Sequence, residues 1–545
     1  MTFSTWLVLG IAPSIYWVLG SPFLLHRGHS ALRMAPLTGG AVAGLCCELT
    51  FAIGTRPHTL LIPLLIACAA YAVVYKRKWE WRHLGEVYLL YVVALLPAVI
   101  SPFPIVGIWN GDWFYLFKAG QTLWEGGRLS FESLQRPPLF GAGAAPLWVF
   151  ADGLIPYQIF SAVMSAGTLG SCLFAADRFW PTLSRFRLLA PLVCSVFFLH
   201  HTAACWAKLA AAGFVLAAAV DFSREHSPVT AWSSGVWFAL AVAMHQSSLI
   251  YLPVLIVIWT AQPDRSFLQA LKILAIFAAC GLLLVGLFEG WTIWEYGWRA
   301  KIVANPSFSQ REPNVSFAAN TILVIVTSFL GWAPIDHVIQ WWHASNPWSR
   351  AQTTKEGFWI ATSWLEILAA TFLGAYLPFL LSGSRNLARR LWTIMHTSRG
   401  LIYTMAVLLI VILNGMLNPF FSANGTMQTG LVALGLGGFL LLGAWLEEEQ
   451  PQRWSCLMGI TAGIGTLPWL LLNLGVSTGL RCSGSFRDNF VAGSEGDWKL
   501  LLANHLTPLG LSSFPTLPIM LLAFGAAWFF WQAKFGQLRA GGLFR

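Results

Sequence analysis

An acidic residue, Asp112, lies where a long apolar run gives way to a polar stretch of the sequence. A carboxylate in such a place can act as a general base that takes a proton from an attacking hydroxyl or amine. The segment Asn110-Gly111-Asp112 is equally typical of a turn, and Asp is also a favoured N-cap residue of helices. The sequence therefore supports two interpretations of Asp112, a catalytic base and a structural cap.

Several basic residues lie in or near the polar segments. Arg136 precedes Pro137-Pro138-Leu139 in the same polar stretch, and Lys208 lies among small residues inside an apolar run. A later polar segment contributes Arg299, Lys301 and Arg311. Guanidinium and ammonium groups form charge-assisted hydrogen bonds with anionic oxygens. Arg136 is equally typical of a cation whose stem lies along the membrane surface, whereas a Lys inside an apolar run usually has a partner or a function.

The composition predicts that membrane-spanning helices position these groups. Of 545 residues, 57% are hydrophobic and 10% charged, whereas a soluble domain has about a quarter charged residues. Mean hydropathy is +0.64, and apolar runs of about 20 residues, the length that crosses a bilayer, recur along the chain. Because a spanning backbone must satisfy its own hydrogen bonds, we predict an all-α polytopic membrane protein. It would have about 13–15 transmembrane helices and no large soluble domain.

The distribution of charge predicts an orientation in the membrane. The net charge of +10 does not indicate nucleic-acid binding, because Lys and Arg cluster in the short connections that mark cytoplasmic loops. Three polar segments then lie on the extracytoplasmic face: 107–152, 289–357 and 475–508. This orientation also requires that 317–333 be re-entrant or interfacial. Polar groups gathered on one face favour surface chemistry over a conduction path through the helices.

The polar segments divide the chain into five predicted regions. They are N-terminal transmembrane helices (1–106), a first outer loop with Asp112 (107–152), a transmembrane core (153–288), a second outer loop (289–357) and C-terminal helices with the outer loop 475–508 (358–545). Two apolar runs, 188–222 and 231–261, are each expected to break into two short helices at His200-His201 and at His245-Gln246-Ser247-Ser248. The nine cysteines show neither metal-ligand nor disulfide spacing, and we predict no metal ligands.

One part of the chain resembles a known enzyme superfamily. The first outer loop opens with Asp112-Trp113-Phe114-Tyr115, continues through a predicted small-residue helix at Ala119-Gly120 and through Gly126-Gly127, and ends with Arg136-Pro137-Pro138-Leu139. This arrangement resembles the polyprenyl-phosphate-dependent glycosyltransferases of the GT-C superfamily, such as protein O-mannosyltransferases and lipid A aminoarabinose transferases. The resemblance covers about residues 86–222. The segment Trp206-Ala207-Lys208-Leu209 also resembles a Trp-Pro-Lys-Leu stretch of uncharacterised members, with Ala207 in place of Pro.

The resemblance implies a GT-C-like helical bundle and an inverting sugar transfer. The donor would be a sugar linked through phosphate to a polyprenol, and the acceptor a lipid, a glycan or a protein. Asp112 would be the general base, and the five cations named above would bind the phosphate, with Trp113 and Tyr115 also contacting substrate. No cofactor is assigned, although Asn110 replaces an acid of metal-using relatives and leaves a divalent cation open. The expected location is a bacterial inner membrane, with the active site on the periplasmic side.

Two other functions remain as alternatives. An O-antigen ligase or polymerase would depend on residues of the 289–357 segment and would retain activity without Asp112. A flippase or transporter of lipid-linked glycans would need charges along a central cavity, for which Lys208 is the sequence's clearest candidate.

Overall fold

The computed structural model describes residues 3–74, 81–100, 112–134, 136–222, 228–253, 267–303 and 432–449, together with the single positions 255, 318, 409, 412, 413, 454 and 458. Within these ranges the chain is helical and contains no strand. The α-helices, in chain order, are α1 (Phe3–Gly20), α2 (Ala35–Ala52), α3 (His58–Val74), α4 (Trp81–Ile100), α5 (Asp112–Glu125), α6 (Phe131–Leu134), α7 (Leu139–Ala142), α8 (Ala145–Trp148), α9 (Leu154–Phe179), α10 (Arg185–Val193), α11 (Val196–Ala203), α12 (Ala207–Phe222), α13 (Pro228–Met244), α14 (Phe267–Gly281), α15 (Leu287–Tyr296) and α16 (Val432–Glu449).

Four helical segments in the described part of the chain are long and apolar enough to cross a membrane. They are Phe3–Phe23, Ser30–Ala52, Leu154–Phe179 and Leu271–Tyr296. At a rise of about 1.5 Å per residue, helices of this length cover the roughly 30 Å of a hydrocarbon core. The last of them continues from α14 to α15 through a π-helical segment, Leu282–Gly286.

The apolar runs of the sequence correspond closely to several of these helices. The run 153–175 is α9, and the break expected at His245 is confirmed, because α13 ends at Met244 and a 3-10 helix, Gln246–Ile250, follows. The run 188–222 is divided into three helices rather than two. The second polar segment was expected from residue 289, but α15 extends to Tyr296. The runs 317–333, 358–381, 401–421, 455–474 and 509–532 lie outside the described ranges.

The chain forms two compact units. The first comprises Met1–Arg128, Leu139–Trp206 and Gly443–Arg545, and the second comprises Leu129–Pro138 and Ala207–Leu442. In the first unit α9 is the central helix, because all of its residues from Leu154 to Ala176 are buried. Its internal hydroxyls bond back to its own carbonyls, as Thr168 does to Met164 over 3.1 Å. This arrangement lets a helix with many small polar residues be buried on every side.

The second unit is organised around the pair α12 and α13, which pack along each other. The two helices are 16 and 17 residues long and are joined by the short connection 223–227. Helices of similar length joined in this way run antiparallel, so the start of α12 and the end of α13 lie at the same end of the pair. Asp221, near the end of α12, links the two helices, because it accepts a hydrogen bond from Trp237 of α13 over 2.8 Å.

Candidate functional site

The first predicted outer segment was expected to be a loop with a small-residue helix at Ala119-Gly120, and much of it is helical. Helix α5 begins at Asp112 and ends at Glu125, where Gly126 takes a left-handed conformation with φ of +79°. An acid in the first turn of a helix is favoured by the partial positive charge of the helix N-terminus. This backbone position is compatible with both interpretations of Asp112. The side chains of Asp112 and Trp113 lie outside the part of the chain that is described.

Helix α5 is held in the first unit by close backbone packing. A Cβ atom on Gly120 would collide with the backbone of Gly141 in α7, and one on Gly141 would collide with the carbonyl of Leu116. The ring of Phe117 packs edge-on against Tyr157 of α9, with their centroids 5.5 Å apart. These contacts fix the helix that starts at Asp112, and they explain why small residues follow the acid.

Beyond α5, the two predicted outer segments meet within the second unit. The backbone N–H of Leu129 donates to the hydroxyl of Tyr296 over 3.2 Å. Next to it, α6 packs against a π-helical turn, Arg299–Val303. The backbone N–H of half-buried Arg136 approaches the carbonyl of Ser133, the third residue of α6, at 3.5 Å. The structure therefore brings the Arg136 segment to the same part of the unit as the turn that carries Arg299 and Lys301.

The predicted phosphate ligands of the second segment differ in their surroundings. Lys301 is 6% exposed, and its ammonium lies 2.8 Å from a carboxylate oxygen of Glu289. Arg299 is exposed. Arg311 lies outside the described ranges. Tyr115, in α5, is half-buried. The Lys301 charge is thus compensated by an acid of its own unit, whereas the Arg299 guanidinium faces outward.

Lys208 lines a narrow cavity at the end of the α12–α13 pair. Lys208 is the second residue of α12 and is 5% exposed. Its polar lining is Lys208, His245, Ser247, Ser248 and Tyr251. The remaining lining comes from Ala211, Ala212 and Val215 of α12. The cavity is small, with room for about one water molecule.

The orientation of His245 in this cavity is fixed by the 3-10 helix that follows it. The backbone N–H of Ser247 donates to Nδ1 of His245 over 3.4 Å, and the Ser247 hydroxyl lies 2.8 Å from the same nitrogen. Because Nδ1 accepts a hydrogen bond from the backbone N–H, the neutral form of the ring carries its own proton on Nε2. The hydroxyl of Ser248 donates to the carbonyl of Ala241 over 3.0 Å, which ties the 3-10 helix to α13.

The sequence indicated parts of this cavity but not the whole. Lys208 was a predicted phosphate ligand, and the run His245-Gln246-Ser247-Ser248 was predicted as a polar break. What sequence reasoning missed was their meeting, together with the contribution of Tyr251. The short connection 223–227 between the two apolar runs favours an antiparallel pair of helices. It does not say which residues of the two runs lie side by side.

Compared with models of protein families, with curated proteins and with solved structures, the chain matches none of them. Within the described ranges, no three His, Cys, Asp or Glu side chains come together as ligands of a metal ion. The function is therefore argued from the residues of the chain.

Proposed function

We propose that the chain is a polytopic membrane glycosyltransferase that takes a sugar from a polyprenyl-phosphate donor at the extracytoplasmic surface. The observation that carries this proposal is the meeting of the two outer segments through Leu129, Tyr296 and α6. It gathers Arg136, Arg299 and Lys301, which are far apart in the sequence, in one part of one unit. Clustered cations compensate the charge of a departing phosphate.

The chemistry assigned to Asp112 is that of a general base. The acceptor hydroxyl or amine attacks the anomeric carbon, and its proton passes to the Asp112 carboxylate. The bond between the anomeric carbon and the phosphate oxygen breaks, and polyprenyl phosphate leaves with the electron pair. A single displacement of this kind inverts the anomeric configuration. The start of a packed helix suits the base, because a group on a rigid element keeps its geometry during the reaction.

Four helices long and apolar enough to cross a membrane support the membrane part of the proposal. An active site at the periplasmic face of a bacterial inner membrane agrees with the clusters of Lys and Arg in the short connections. The acceptor in this proposal is a lipid, a glycan or a protein.

The decisive experiment is a transfer assay on the full-length protein in detergent or nanodiscs, with a panel of labelled polyprenyl-phosphate sugars. Asp112→Asn should slow transfer by about 100-fold or more, because general bases contribute about 10²–10⁴-fold. The matched control is Asp152→Asn, since Asp152 is an exposed acid of the same segment, and it should retain wild-type rates. Transfer that survives Asp112→Asn but fails in Arg299→Met would favour a ligase-like enzyme. Movement of labelled lipid across the bilayer without any transfer would favour a flippase.

A further inference from the structure

The long helix formed by α14, the π-helical segment and α15 is the least enclosed of the four membrane-length helices that the structure describes. Of its most apolar 18 residues, 22% are buried, whereas all of the corresponding residues of α9 are buried. We propose that one face of this helix binds a single phospholipid of the bilayer, with an acyl chain along α15 and the phosphate at the end of the helix. The inference rests on the membrane part of the proposed function and not on sugar transfer.

Four exposed residues form a continuous stripe on this helix. Leu283, Leu287, Gly290 and Trp294 follow one another at intervals of four, three and four residues, which places them on one side of a helix. Leu287 is 68% exposed and Trp294 is 87% exposed. An apolar face as open as this one marks a surface that contacts lipid or another partner. From Leu283 to Trp294 the stripe covers about 16 Å, which is roughly half of a hydrocarbon core and so the depth of one leaflet.

Gly290 makes a notch in this stripe between Leu287 and Trp294. No atom of the described residues lies within 4 Å of a Cβ built on Gly290, whereas a Cβ on Gly120 or Gly141 would collide with backbone. Glycine inside a helix costs about 0.5–1 kcal/mol relative to alanine, and no packing within the described chain requires it here. The open space between two large apolar side chains suits a flexible acyl chain.

The end of the helix carries groups that match the head of a phospholipid. Trp298 is 58% exposed, and its indole, like that of Trp294, suits the boundary between hydrocarbon and water. Arg299 follows Trp298 and is exposed, and its guanidinium can donate two parallel hydrogen bonds to a phosphate. Glu295 is an exposed acid at the same end, but it lies about 100° around the helix from Trp294 and so off the stripe.

An ion pair fixes the turn that carries Arg299. The Lys301 ammonium lies 2.8 Å from a carboxylate oxygen of Glu289, and Glu289 directly precedes Gly290. The pair therefore holds the π-helical turn Arg299–Val303 beside the last two turns of α15, at the level of the notch. Because the charge of Lys301 is compensated by Glu289, Arg299 is the exposed cation of this turn that a phosphate can bind.

The test measures lipid contact at one position of the full-length protein in detergent. The photoreactive residue p-benzoylphenylalanine is introduced at Leu287, dioctanoyl phosphatidylglycerol is titrated, and the lipid adduct formed on irradiation is quantified by intact mass. The adduct yield should rise with lipid concentration and saturate. The matched control carries the same photoreactive residue at Phe288, an adjacent side chain that is 7% exposed, and it should form little adduct.

A change at the notch separates lipid binding from folding. Gly290→Leu fills space that the described chain leaves open, so the melting temperature without lipid should stay the same or rise. The lipid concentration that gives half of the maximal adduct should increase by about 10-fold, as expected when contacts with about two methylene groups are lost. Gly281→Leu is the control, because Gly281 also faces open space but lies on the side of the helix opposite Leu283.

A change at the headgroup end tests the phosphate contact. Arg299→Met should raise the half-maximal lipid concentration by about 10- to 100-fold, since charge-assisted hydrogen bonds are lost. Arg299→Lys should recover part of the binding, because the charge returns without the paired donors. Lys272→Met is the control, because Lys272 is an exposed lysine near the other end of the same helix, and it should bind like the wild type.

Three outcomes would overturn the phospholipid site. They are equal adduct yields at Leu287 and Phe288, a half-maximal concentration that neither Gly290→Leu nor Arg299→Met changes, and adducts of position 287 with protein, which would show that the chain or a second copy covers this face. A protein that binds the lipid as described but transfers no sugar contradicts the transferase alone. A protein that transfers sugar while position 287 forms no lipid adduct contradicts the phospholipid site alone.

Discussion

Lys301 and Glu289, twelve residues apart, form an ion pair of 2.8 Å that links the π-helical turn after α15 to the start of that helix. Both side chains are mostly buried, at 6% and 24% exposure. The turn between them passes through Gly297, whose φ of +90° is a conformation that favours glycine. The pair therefore closes the end of a long apolar helix, next to the segment that carries Arg136.

Removal of either partner of this pair should destabilise the second unit. Glu289→Gln leaves the buried Lys301 ammonium without the carboxylate that compensates its charge. Lys301→Met likewise leaves the Glu289 carboxylate without its ammonium. We expect each to cost about 2–4 kcal/mol, toward the lower side of the range for buried ion pairs. The double variant should cost clearly less than the sum of the single ones. Additive losses of melting temperature in detergent would contradict a direct pairing.

The same variants separate a structural from a substrate-binding role of Lys301. If Lys301 also contacts the donor phosphate, Lys301→Met should raise the KM for donor by about 10-fold or more, since a charge-assisted bond is lost. Glu289→Gln should not raise it, because the ammonium remains. The exposed Lys272→Met variant is the control for nonspecific loss of positive charge. Equal effects of Lys301→Met and Glu289→Gln on KM would assign the pair a purely structural role.

Close packing of α5 on α7 should depend on Gly141. A Cβ there would collide with the carbonyl of Leu116 in α5. Gly141→Ala must therefore push α7 away from α5. We expect a loss of about 1–3 kcal/mol, as for other overpacked sites. Gly85→Ala is the control, because nothing lies within 4 Å of its added methyl and alanine favours the helix. A Gly141→Ala protein that melts like Gly85→Ala would contradict the packing.

The helical character of part of α5 was predicted from the sequence, but its full extent was not. Leu116, Ala119, Gly120 and Leu123 lie three to four residues apart and are all buried, which is the period of a helix face. The sequence predicted a small-residue helix at Ala119-Gly120 within a loop, whereas the helix extends from Asp112 to Glu125. The start at Asp112 could be placed from the end of the preceding apolar run, but the packing of Gly120 on Gly141 depends on tertiary contacts.

The meeting of Lys208 with His245 marks another limit of sequence reasoning. Each residue was recognised as unusual inside an apolar run, because polar groups there require a partner or a function. The sequence around Lys208 and around His245 does not indicate which helices are neighbours. That information comes only from the packing of α12 on α13. In contrast, the start of α9 and the end of α13 follow directly from Gly153 and His245, where local turn chemistry interrupts the helical backbone.

An internal charge cluster of the first unit should be essential for its stability. Arg33 is 1% exposed; it is hydrogen bonded to Glu86, and it donates to Asp177 over 2.5 Å. Arg185 is also paired with Asp177, at 2.8 Å. Arg33→Met would leave two nearby carboxylates without the cation that separates them, at a cost of about 3 kcal/mol.

The control for Arg33→Met is Arg56→Met. Arg56 is exposed, and its guanidinium donates to the carbonyl of Glu125 at the surface over 2.7 Å. Its loss should change stability by about 0.5 kcal/mol or less. Melting temperatures that fall equally in the two variants would show that the buried cluster contributes no more than a surface contact. A double variant, Arg33→Met with Glu86→Gln, should recover part of the loss, since it removes one of the two opposing carboxylates.

Asp221 should control the stability of the α12–α13 pair. The carboxylate is fully buried, and it accepts hydrogen bonds from the Ser233 hydroxyl and from the indole of Trp237. Asp221→Asn replaces one acceptor oxygen with a donor, which should cost about 1–3 kcal/mol. Asp152→Asn, a change of an exposed acid, should leave the melting temperature in detergent unaltered. Equal melting temperatures of the two variants would contradict a role of these hydrogen bonds in holding α12 against α13.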